Sequence, residues 1–160
     1  MMITADIARD ILSYDSETGL LYWRKSVNPR AMIGYLAGTA REDGRRQIRI
    51  NNKIYLSARI VWLMQTGRFP CGIIDHINGD PSDDRMMNLR DATYSINNQN
   101  RRASNSSSGL MGVYKRRNAF IAQIRPSKGE AKYLGTFDTA EDAYAAYLDA
   151  KRSMHPGFVE

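Results

Sequence analysis

Alternating apolar and polar residues predict several short strands in the first hundred residues of the chain. Such runs are LLYWR (20–24), RQIRI (46–50) and KIYLS (53–57). The last two flank Asn51 and Asn52, and paired asparagines between apolar runs are typical of a tight hairpin. We therefore expect these two segments to pair as antiparallel strands, and we expect a further strand to end in the sequence IIDH.

Three segments are predicted to form helices, the first and the last from apolar residues at helical spacing. The segments are SARIVWLMQTG (57–67), SINNQNRR (95–102) and DTAEDAYAAYLDAKRSM (138–154). Gly67 fits the end of the first helix. The first polar residue of each segment is a candidate N-terminal cap, because its side-chain oxygen can accept from exposed backbone N–H groups: Ser57, Ser95 and Asp138.

Three further strand patterns precede the last helix. They are GVYKRR (112–117), AFIAQIRP (119–126) and EAKYLGTF (130–137). In the middle segment, every second residue from Phe120 to Ile124 is apolar and would face the helix. We expect a small three-stranded antiparallel sheet with one face covered by the helix.

The stretch RRASNSSSG (101–109) is the best candidate for a domain boundary, since serine, asparagine and glycine give a flexible chain. We expect a first domain over residues 1–100, a linker over 101–109 and a second domain over 110–160. The mixture of short strands and helices places both domains in the α+β class.

The net charge of +6 is distributed unevenly along the chain. It is +2 over residues 1–100, +7 over 101–134 and −3 over 135–160. A concentrated basic stretch is typical of a nucleic-acid-binding surface. The alternative is a basic face that is only solvated.

A single cysteine, Cys71, excludes an internal disulfide and a zinc site built from several cysteines. The N-terminal sequence MMITADIARDILSY lacks the apolar core of a signal peptide. No apolar run approaches the ~20 residues that cross a bilayer. We therefore expect a cytoplasmic protein with no membrane partner, and its hydrophobic fraction of 42% suffices for a packed core.

Asp75 and His76, which follow two β-branched residues, suggest hydrolysis of a phosphodiester. A neutral histidine can take the proton of a water molecule, and carboxylate and amide oxygens suit a hard cation such as Mg²⁺. On a regular strand the two side chains would point to opposite faces, so their convergence needs the irregular backbone that INGDPSDD provides. The alternative is a turn-rich loop whose asparagines only satisfy backbone groups.

The segment DHINGDPSDDRMMNLRDATYSINNQNR resembles the HNH nuclease motif, in particular the branch found in phage and intron-encoded homing endonucleases. The resemblance implies the ββα-metal fold, in which two strands and a helix surround one metal ion. It also implies one Mg²⁺ or Mn²⁺ ion per active site. The preceding sequence, GRRQIRINNKIYLSARIVWLMQTGRFP, is similar to the same branch.

By position in this motif, His76 matches the general base and Asp75 matches the metal-binding acid beside it. Asn88 matches the middle asparagine, which holds and orients the histidine. Asn97 matches the third position and would be the second metal ligand. Asn98 and Asn100 are its rivals, and one helical turn separates Asn97 from Asn100, so these two could lie on one face. The other polar residues of the loop are interpreted as turn residues: Asn78, Asp80, Asp83 and Asp84.

The sequence GVYKRRNAFIAQIRPSKGEAKYLGTFDTAEDAYAAYLDA resembles the APETALA/ethylene-response-factor DNA-binding domain, whose three-stranded sheet lies in the major groove. The residues that match its DNA-binding face are Tyr114, Arg116, Gln123, Arg125 and Tyr133. Lys115 and Arg117 alternate away from that face and would reach phosphates or be solvated. Phe120 and Tyr133 replace the usual tryptophans, which leaves the base preference open.

Together these features predict a metal-dependent HNH endonuclease of the homing type that acts on double-stranded DNA as a monomer or a homodimer. A monomer with one site would nick one strand, whereas a double-strand break needs a dimer or a second event. The alternative is a sequence-specific DNA-binding regulator with a vestigial nuclease site. The presence together of Asp75, His76, Asn88 and Asn97 favours the enzyme.

Overall fold

The computed structural model describes residues 3–29, 31–100, 106–126 and 129–158. The chain forms two compact units, Met1–Ala92 and Thr93–Glu160. Each unit combines helices with small antiparallel sheets, as the sequence predicts. Within the described ranges, no helix has the length and apolarity that crossing a membrane requires.

The predicted linker, residues 101–109, lies partly outside the described residues, which omit 101–105. In the rest of it, the Gly109 N–H donates to the Ser106 carbonyl in a turn. The helix that we expected at 95–102 spans Tyr94–Gln99 and belongs to the second compact unit, and its predicted residues 101 and 102 lie outside the described residues. The domain limits themselves stay a prediction.

The first unit begins with a helix and contains three small antiparallel sheets. Its elements are α1 (Ala5–Ile11), β1 (Leu12–Tyr14), β2 (Leu21–Trp23), β3 (Thr39–Ala40), β4 (Arg46–Ile50), β5 (Lys53–Leu56), α2 (Ser57–Thr66), β6 (Ile73–His76), a 3₁₀ turn (Met86–Asn88) and β7 (Leu89–Ala92). Strand β1 pairs with β2, β4 lies between β3 and β5, and β6 pairs with β7.

The hairpin predicted around two asparagines is confirmed, and β4 and β5 are paired along their length. Asn51 and Asn52 have φ angles of 49° and 60°. A two-residue turn between twisted strands requires this left-handed backbone, which asparagine adopts more readily than most residues. Gly67, with a φ angle of 82°, ends α2 as predicted.

The predicted caps of the three helices are wrong by one or two residues. Ser57 is the buried first residue of α2, because β5 runs directly into the helix. Thr93 and Thr139 cap the two later helices in place of Ser95 and Asp138. Both threonines have the extended backbone that a cap position requires, and their hydroxyls accept from backbone N–H groups three residues on.

The core of the first unit lies between α1, α2 and the inward faces of its strands. Leu12, Leu21 and Ile60 are among its fully buried side chains. Leu89 of β7 belongs to the same core and is paired with His76 across the β6–β7 hairpin. The core therefore holds the hairpin that carries the candidate catalytic histidine.

The second unit contains α3 (Tyr94–Gln99), β8 (Val113–Arg116), β9 (Ala119–Ile124), β10 (Lys132–Phe137) and α4 (Ala140–Met154). Strand β9 lies in the centre of an antiparallel sheet, and α4 packs against it. The three-stranded sheet with one covered face is therefore present as predicted.

The interface between this sheet and α4 is formed by Val113, Ala122 and Ile124 on the sheet and by Tyr147 on the helix. A β-carbon at Gly112, whose φ angle is 75°, would collide with the Tyr147 ring, so only glycine allows this close approach. Burial raises the pKa of Tyr147 to about 12. The ring therefore acts as an uncharged part of the core.

Candidate active site

Asp75 and His76 are the last two residues of β6, and the segment that follows, residues 77–85, is named here the site loop. Across the hairpin Asp75 is opposite Arg90, and His76 is opposite Leu89. Both residues are buried, and their side chains are 6% exposed in Asp75 and 7% exposed in His76. Because burying groups that can carry charge is costly without partners, their contacts define the site.

The carboxylate of Asp75 is held by the guanidinium of Arg90. The Nε and Nη2 atoms of Arg90 lie 2.7 Å and 2.6 Å from the same oxygen, Oδ2. Residues that are opposed in an antiparallel pair project from the same face, so the strand register brings the two together. Arg90 is not among the residues predicted from the sequence, because its position opposite Asp75 depends on the register of the two strands.

The imidazole ring of His76 is held by Asp84, eight residues further along the chain. Nε2 of the ring lies 2.9 Å from Oδ1 of Asp84, and the two side chains are 7% and 6% exposed. The interpretation of Asp84 as a turn residue is wrong, because the site loop curls back and directs this carboxylate to the end of β6.

Asp84 is positioned by the N-terminal part of the same unit. The Tyr14 hydroxyl lies 3.4 Å from the Asp84 carbonyl, to which it donates, and it accepts from the Met86 N–H at 2.8 Å. Gly19 approaches the site loop so closely that a β-carbon at this position would lie 2.5 Å from the backbone nitrogen of Arg85. Burial raises the pKa of Tyr14, which keeps its hydroxyl protonated and able to donate.

Asn88 closes the site loop. Its Oδ1 accepts from the Asn78 N–H at 2.9 Å, and its Nδ2 donates to the Asp83 carbonyl at 2.8 Å. The Asn88 side chain is buried, so these bonds satisfy groups that water reaches poorly. Through them Asn88 fixes both ends of the loop that brings Asp84 to His76.

The other polar residues of the site loop build turns, as expected. Asn78 Oδ1 accepts from the Asp80 N–H at 2.8 Å, and Asp80 Oδ1 accepts from the Ser82 N–H and hydroxyl at 2.9 Å and 2.7 Å. Arg85 donates to both carboxylate oxygens of Asp83, at 2.7 Å and 2.6 Å, and this contact holds the pKa of Asp83 at about 2. The loop is thus fixed by its own hydrogen bonds.

Asn97, the proposed second metal ligand, is a half-buried residue of α3 in the second unit. Asn100, its rival, is the C-terminal cap residue of that helix and is 4% exposed. Of the motif residues, Asp75, His76 and Asn88 belong to the first unit, where Asp75 and His76 end β6 and Asn88 bonds to the site loop. The choice between Asn97 and Asn100 stays a prediction.

Among the residues that the structure describes, no three His, Cys, Asp or Glu side chains are grouped so that they could hold a metal ion. The donors that the motif offers are instead the Asp75 carboxylate and an amide oxygen. Oxygen donors suit Mg²⁺ and Mn²⁺, and Mg²⁺ usually keeps water and substrate phosphate oxygens in its remaining positions. The chemistry of these donors therefore fits the predicted ion.

The sheet of the second unit presents four of the predicted DNA-binding residues on its outward face. Val113 points into the core against α4. Because successive side chains of a strand point to opposite faces, Tyr114 and Arg116 lie on the outward side. Gln123 is opposite Tyr133 in the register and lies on the same outward side. Tyr114 and Tyr133 are 43% and 61% exposed, and the Tyr133 hydroxyl lies 2.7 Å from the Thr136 hydroxyl.

The other basic residues that were predicted to bind DNA are exposed at the edge of the sheet, in a turn or just beyond a strand. Lys115 is opposite Phe120 and therefore projects from the α4 side of the sheet, at its edge, where it is exposed. Arg117 is exposed in the turn between β8 and β9, with a φ angle of 53°. Arg125 is exposed just beyond β9, and its carbonyl bonds to His155 Nε2 at 2.9 Å.

A second concentration of positive charge lies in the first unit. It is not evident from the net charge of residues 1–100, which is only +2. Residues 24–53 have a net charge of +6, because Glu42 and Asp43 are outnumbered by Arg24, Lys25, Arg30, Arg41, Arg45, Arg46, Arg49 and Lys53. An open cleft of about 660 Å³ borders this segment, and none of the described residues that line it is acidic. Its polar lining includes Gln47, Arg49, Asn51 and Asn52, which are residue types that bond to phosphates and base edges.

A comparison with known families bears on the segment that carries this site. The family model described as HNH endonuclease matches residues 55–99. The matched segment runs from β5 to the end of α3 and includes all four motif residues, so it supports a nuclease of the HNH type that acts on DNA. No curated protein and no solved structure is significantly similar to the chain.

Proposed function

We propose that this protein is a metal-dependent endonuclease of the homing type that nicks or cuts double-stranded DNA. The observation that carries the proposal is the buried His76–Asp84 pair next to Asp75, within the segment that matches the HNH family. Burying a histidine and two carboxylates at one strand end costs free energy of folding. Hydrolysis of a phosphodiester gives a reason to retain them, since it needs an oriented base beside a metal ligand.

His76 is the general base in this proposal. An ionised carboxylate can only accept hydrogen bonds, so Asp84 selects the tautomer in which Nε2 carries the hydrogen and Nδ1 the lone pair. Nδ1 then takes the proton of the attacking water. The Asp84 carboxylate also stabilises the imidazolium that results, as in other histidine–carboxylate pairs.

Asp75 and Asn97 would hold one divalent ion, Mg²⁺ or Mn²⁺, through oxygen atoms, with Asn100 as the alternative to Asn97. When bound, such an ion stabilises the charge that develops on the phosphate oxygens. Asp75 contributes a charged ligand and Asn97 a neutral one. His76 stays outside the ligand set in this proposal and acts as the base.

The second unit is the recognition part in this proposal. Its outward sheet face would contact DNA through Tyr114, Arg116, Gln123, Arg125 and Tyr133, with Lys115 and Arg117 at phosphates. Arginine pairs well with guanine and glutamine with adenine, and the basic charge of this stretch would neutralise phosphates. The basic segment 24–53 would hold the same DNA against the first unit.

The test is incubation of the purified full chain with supercoiled plasmid and Mg²⁺, with and without EDTA. We expect nicked or linear product only when the metal is available, and the ratio of the two distinguishes a monomer that nicks from a dimer that cuts both strands. Asp75→Asn should bind a labelled duplex but leave the plasmid supercoiled. If the wild-type chain binds DNA and never cleaves it with Mg²⁺ or Mn²⁺, the alternative of a DNA-binding regulator with a vestigial site is favoured.

A further inference from the structure

The carboxylate that is proposed to bind metal already has a cationic partner in the protein. Two nitrogens of Arg90 lie 2.7 Å and 2.6 Å from Asp75 Oδ2. The Asp75 side chain is 6% exposed and that of Arg90 is 24% exposed. Charges so shielded from water interact more strongly than charges at the surface.

This ion pair differs from the other arginine–aspartate pairs of the first unit. Arg85 binds Asp83 with similar distances, but both oxygens of Asp83 take part and the contact closes a turn. The pair of Arg41 with Asp43 leaves both partners solvated, at 45% and 38% exposure. Asp75 combines a buried carboxylate, an arginine at Oδ2 and a position matched to a metal ligand.

A divalent ion on Asp75 would place three positive charges around one carboxylate if Arg90 stayed in place. Their repulsion opposes metal binding in a poorly solvated site. A guanidinium, however, binds phosphate with the same pair of N–H groups that it uses for a carboxylate. A DNA phosphate would therefore give Arg90 another partner and would add the negative charge that the ion needs.

We propose that Arg90 competes with the metal for Asp75 in the free protein and transfers to a phosphate when DNA binds. Metal binding and DNA binding are then coupled, and the nuclease holds its activating ion mainly on its substrate. The inference rests on the proposed function, because it takes Asp75 as a metal ligand and DNA as the substrate. Linkage requires that the ion strengthens DNA binding by the same factor by which DNA strengthens binding of the ion.

The first measurement is Mn²⁺ binding to the DNA-free full chain, followed by the paramagnetic resonance signal of unbound Mn²⁺. Arg90→Gln removes the charge but keeps a side chain of similar length, and it should bind Mn²⁺ about 5- to 150-fold more tightly than wild type, the usual range of such couplings. Arg90→Lys keeps the charge and should stay close to wild type. Arg85→Gln, which removes an arginine from the neighbouring loop, is the matched control and should change the affinity little.

The second measurement is the affinity for a labelled duplex, by fluorescence anisotropy, with and without Mn²⁺ at constant ionic strength. A His76→Ala background prevents cleavage during the titration. In the chain with Arg90, Mn²⁺ should raise the DNA affinity. The factor should be comparable to the one by which Arg90→Gln raises the Mn²⁺ affinity of the DNA-free chain. In the chain with Arg90→Gln, most of that enhancement should be lost.

The inference is overturned if Arg90→Gln binds Mn²⁺ no more tightly than wild type, because Arg90 would then brace the ligand instead of competing for it. It is also overturned if Mn²⁺ has no effect on DNA affinity in the chain with Arg90, a result that does not depend on the folding of any Arg90 variant. Asp75→Asn distinguishes the two levels of failure. If that variant keeps wild-type Mn²⁺ binding, the metal assignment of the proposed function fails; if it loses binding while Arg90→Gln is unchanged, only the competition fails.

Discussion

Nε2 of His76 lies 2.9 Å from Oδ1 of Asp84, and the two residues are joined by a loop that Asn88 closes. Tyr14 holds the backbone of Asp84 from the other side. The orientation of the proposed base is therefore set by residues that need not touch DNA. This arrangement makes the site sensitive to substitutions that lie outside the HNH motif.

Replacing Asp84 should slow cleavage without weakening DNA binding. Asp84→Ala removes the group that selects the histidine tautomer, and we expect a loss of roughly 10- to 100-fold in rate, as for other groups that orient a functional histidine. Asp84→Asn keeps an acceptor oxygen but not the charge, so its rate should fall between those of wild type and Asp84→Ala. The measurements are the single-turnover rate at saturating duplex and the dissociation constant for the same duplex. A lower rate with an unchanged dissociation constant separates this role from a general loss of structure. An Asp84→Ala chain that cleaves at the wild-type rate would show that the contact is structural only.

Removing the side chain of Asn88 should destabilise the first unit. Asn88→Ala leaves the Asn78 N–H and the Asp83 carbonyl without these partners, which should cost about 1–3 kcal/mol of unfolding free energy. Urea unfolding followed by circular dichroism measures this cost. Asn98→Ala, at an exposed position of α3, is the control and should be nearly neutral. Equal stability of the two variants would contradict the role of Asn88 as the residue that closes the loop.

The ion pair of Asp83 with Arg85 should make stability depend on pH in the acid range. Since the pKa of Asp83 is held at about 2, below its ordinary 3.8, the contribution is present above pH 4 and is lost as the pH falls through 3.8 towards 2. Between pH 6 and pH 3 the free energy of unfolding of the wild type should fall by up to about 1 kcal/mol more than that of Asp83→Asn. Arg85 is 42% exposed, and screening by water reduces this difference. Urea unfolding at both pH values, with Glu42→Gln as an exposed control, checks this difference. The same loss in wild type and Asp83→Asn would refute it.

The outward sheet face should carry the salt-sensitive part of DNA binding. If Arg116 contacts a base, Arg116→Ala should cost roughly 1–3 kcal/mol of binding free energy. If it contacts a phosphate instead, the log–log slope of affinity against salt should become shallower by about 0.9. Arg152→Ala is the matched control, because Arg152 lies on α4 and pairs with Asp149. Equal weakening by the two substitutions would show that net charge matters and the face does not.

Local patterns were sufficient to predict most of the strands and the covered sheet. Asn51 and Asn52 determine their turn through their own backbone preferences, and the alternation from Phe120 to Ile124 follows directly from burial of one face. The helix caps were predicted less well, because Thr93 and Thr139 compete with polar neighbours that look equally suitable in the sequence.

The contacts of the candidate site were predicted least well, although its motif residues were identified. Asp84 meets His76 only because the site loop folds back, and no local periodicity encodes that path. Arg90 meets Asp75 through the register of β6 and β7, which depends on the packing of Leu89 in the core. Such contacts follow from tertiary structure and cannot be obtained from spacing along the chain.

The central claim is that His76 acts as the base in hydrolysis of DNA, and the most direct test is single-turnover cleavage of plasmid by His76→Ala. Asp80→Asn, from the same loop, serves as the control because its carboxylate bonds to Ser82 in a turn. We expect His76→Ala to lose about 10²- to 10⁴-fold in rate with Mg²⁺ while its DNA affinity persists, and Asp80→Asn to cleave like wild type. Cleavage by His76→Ala at the wild-type rate would contradict the account.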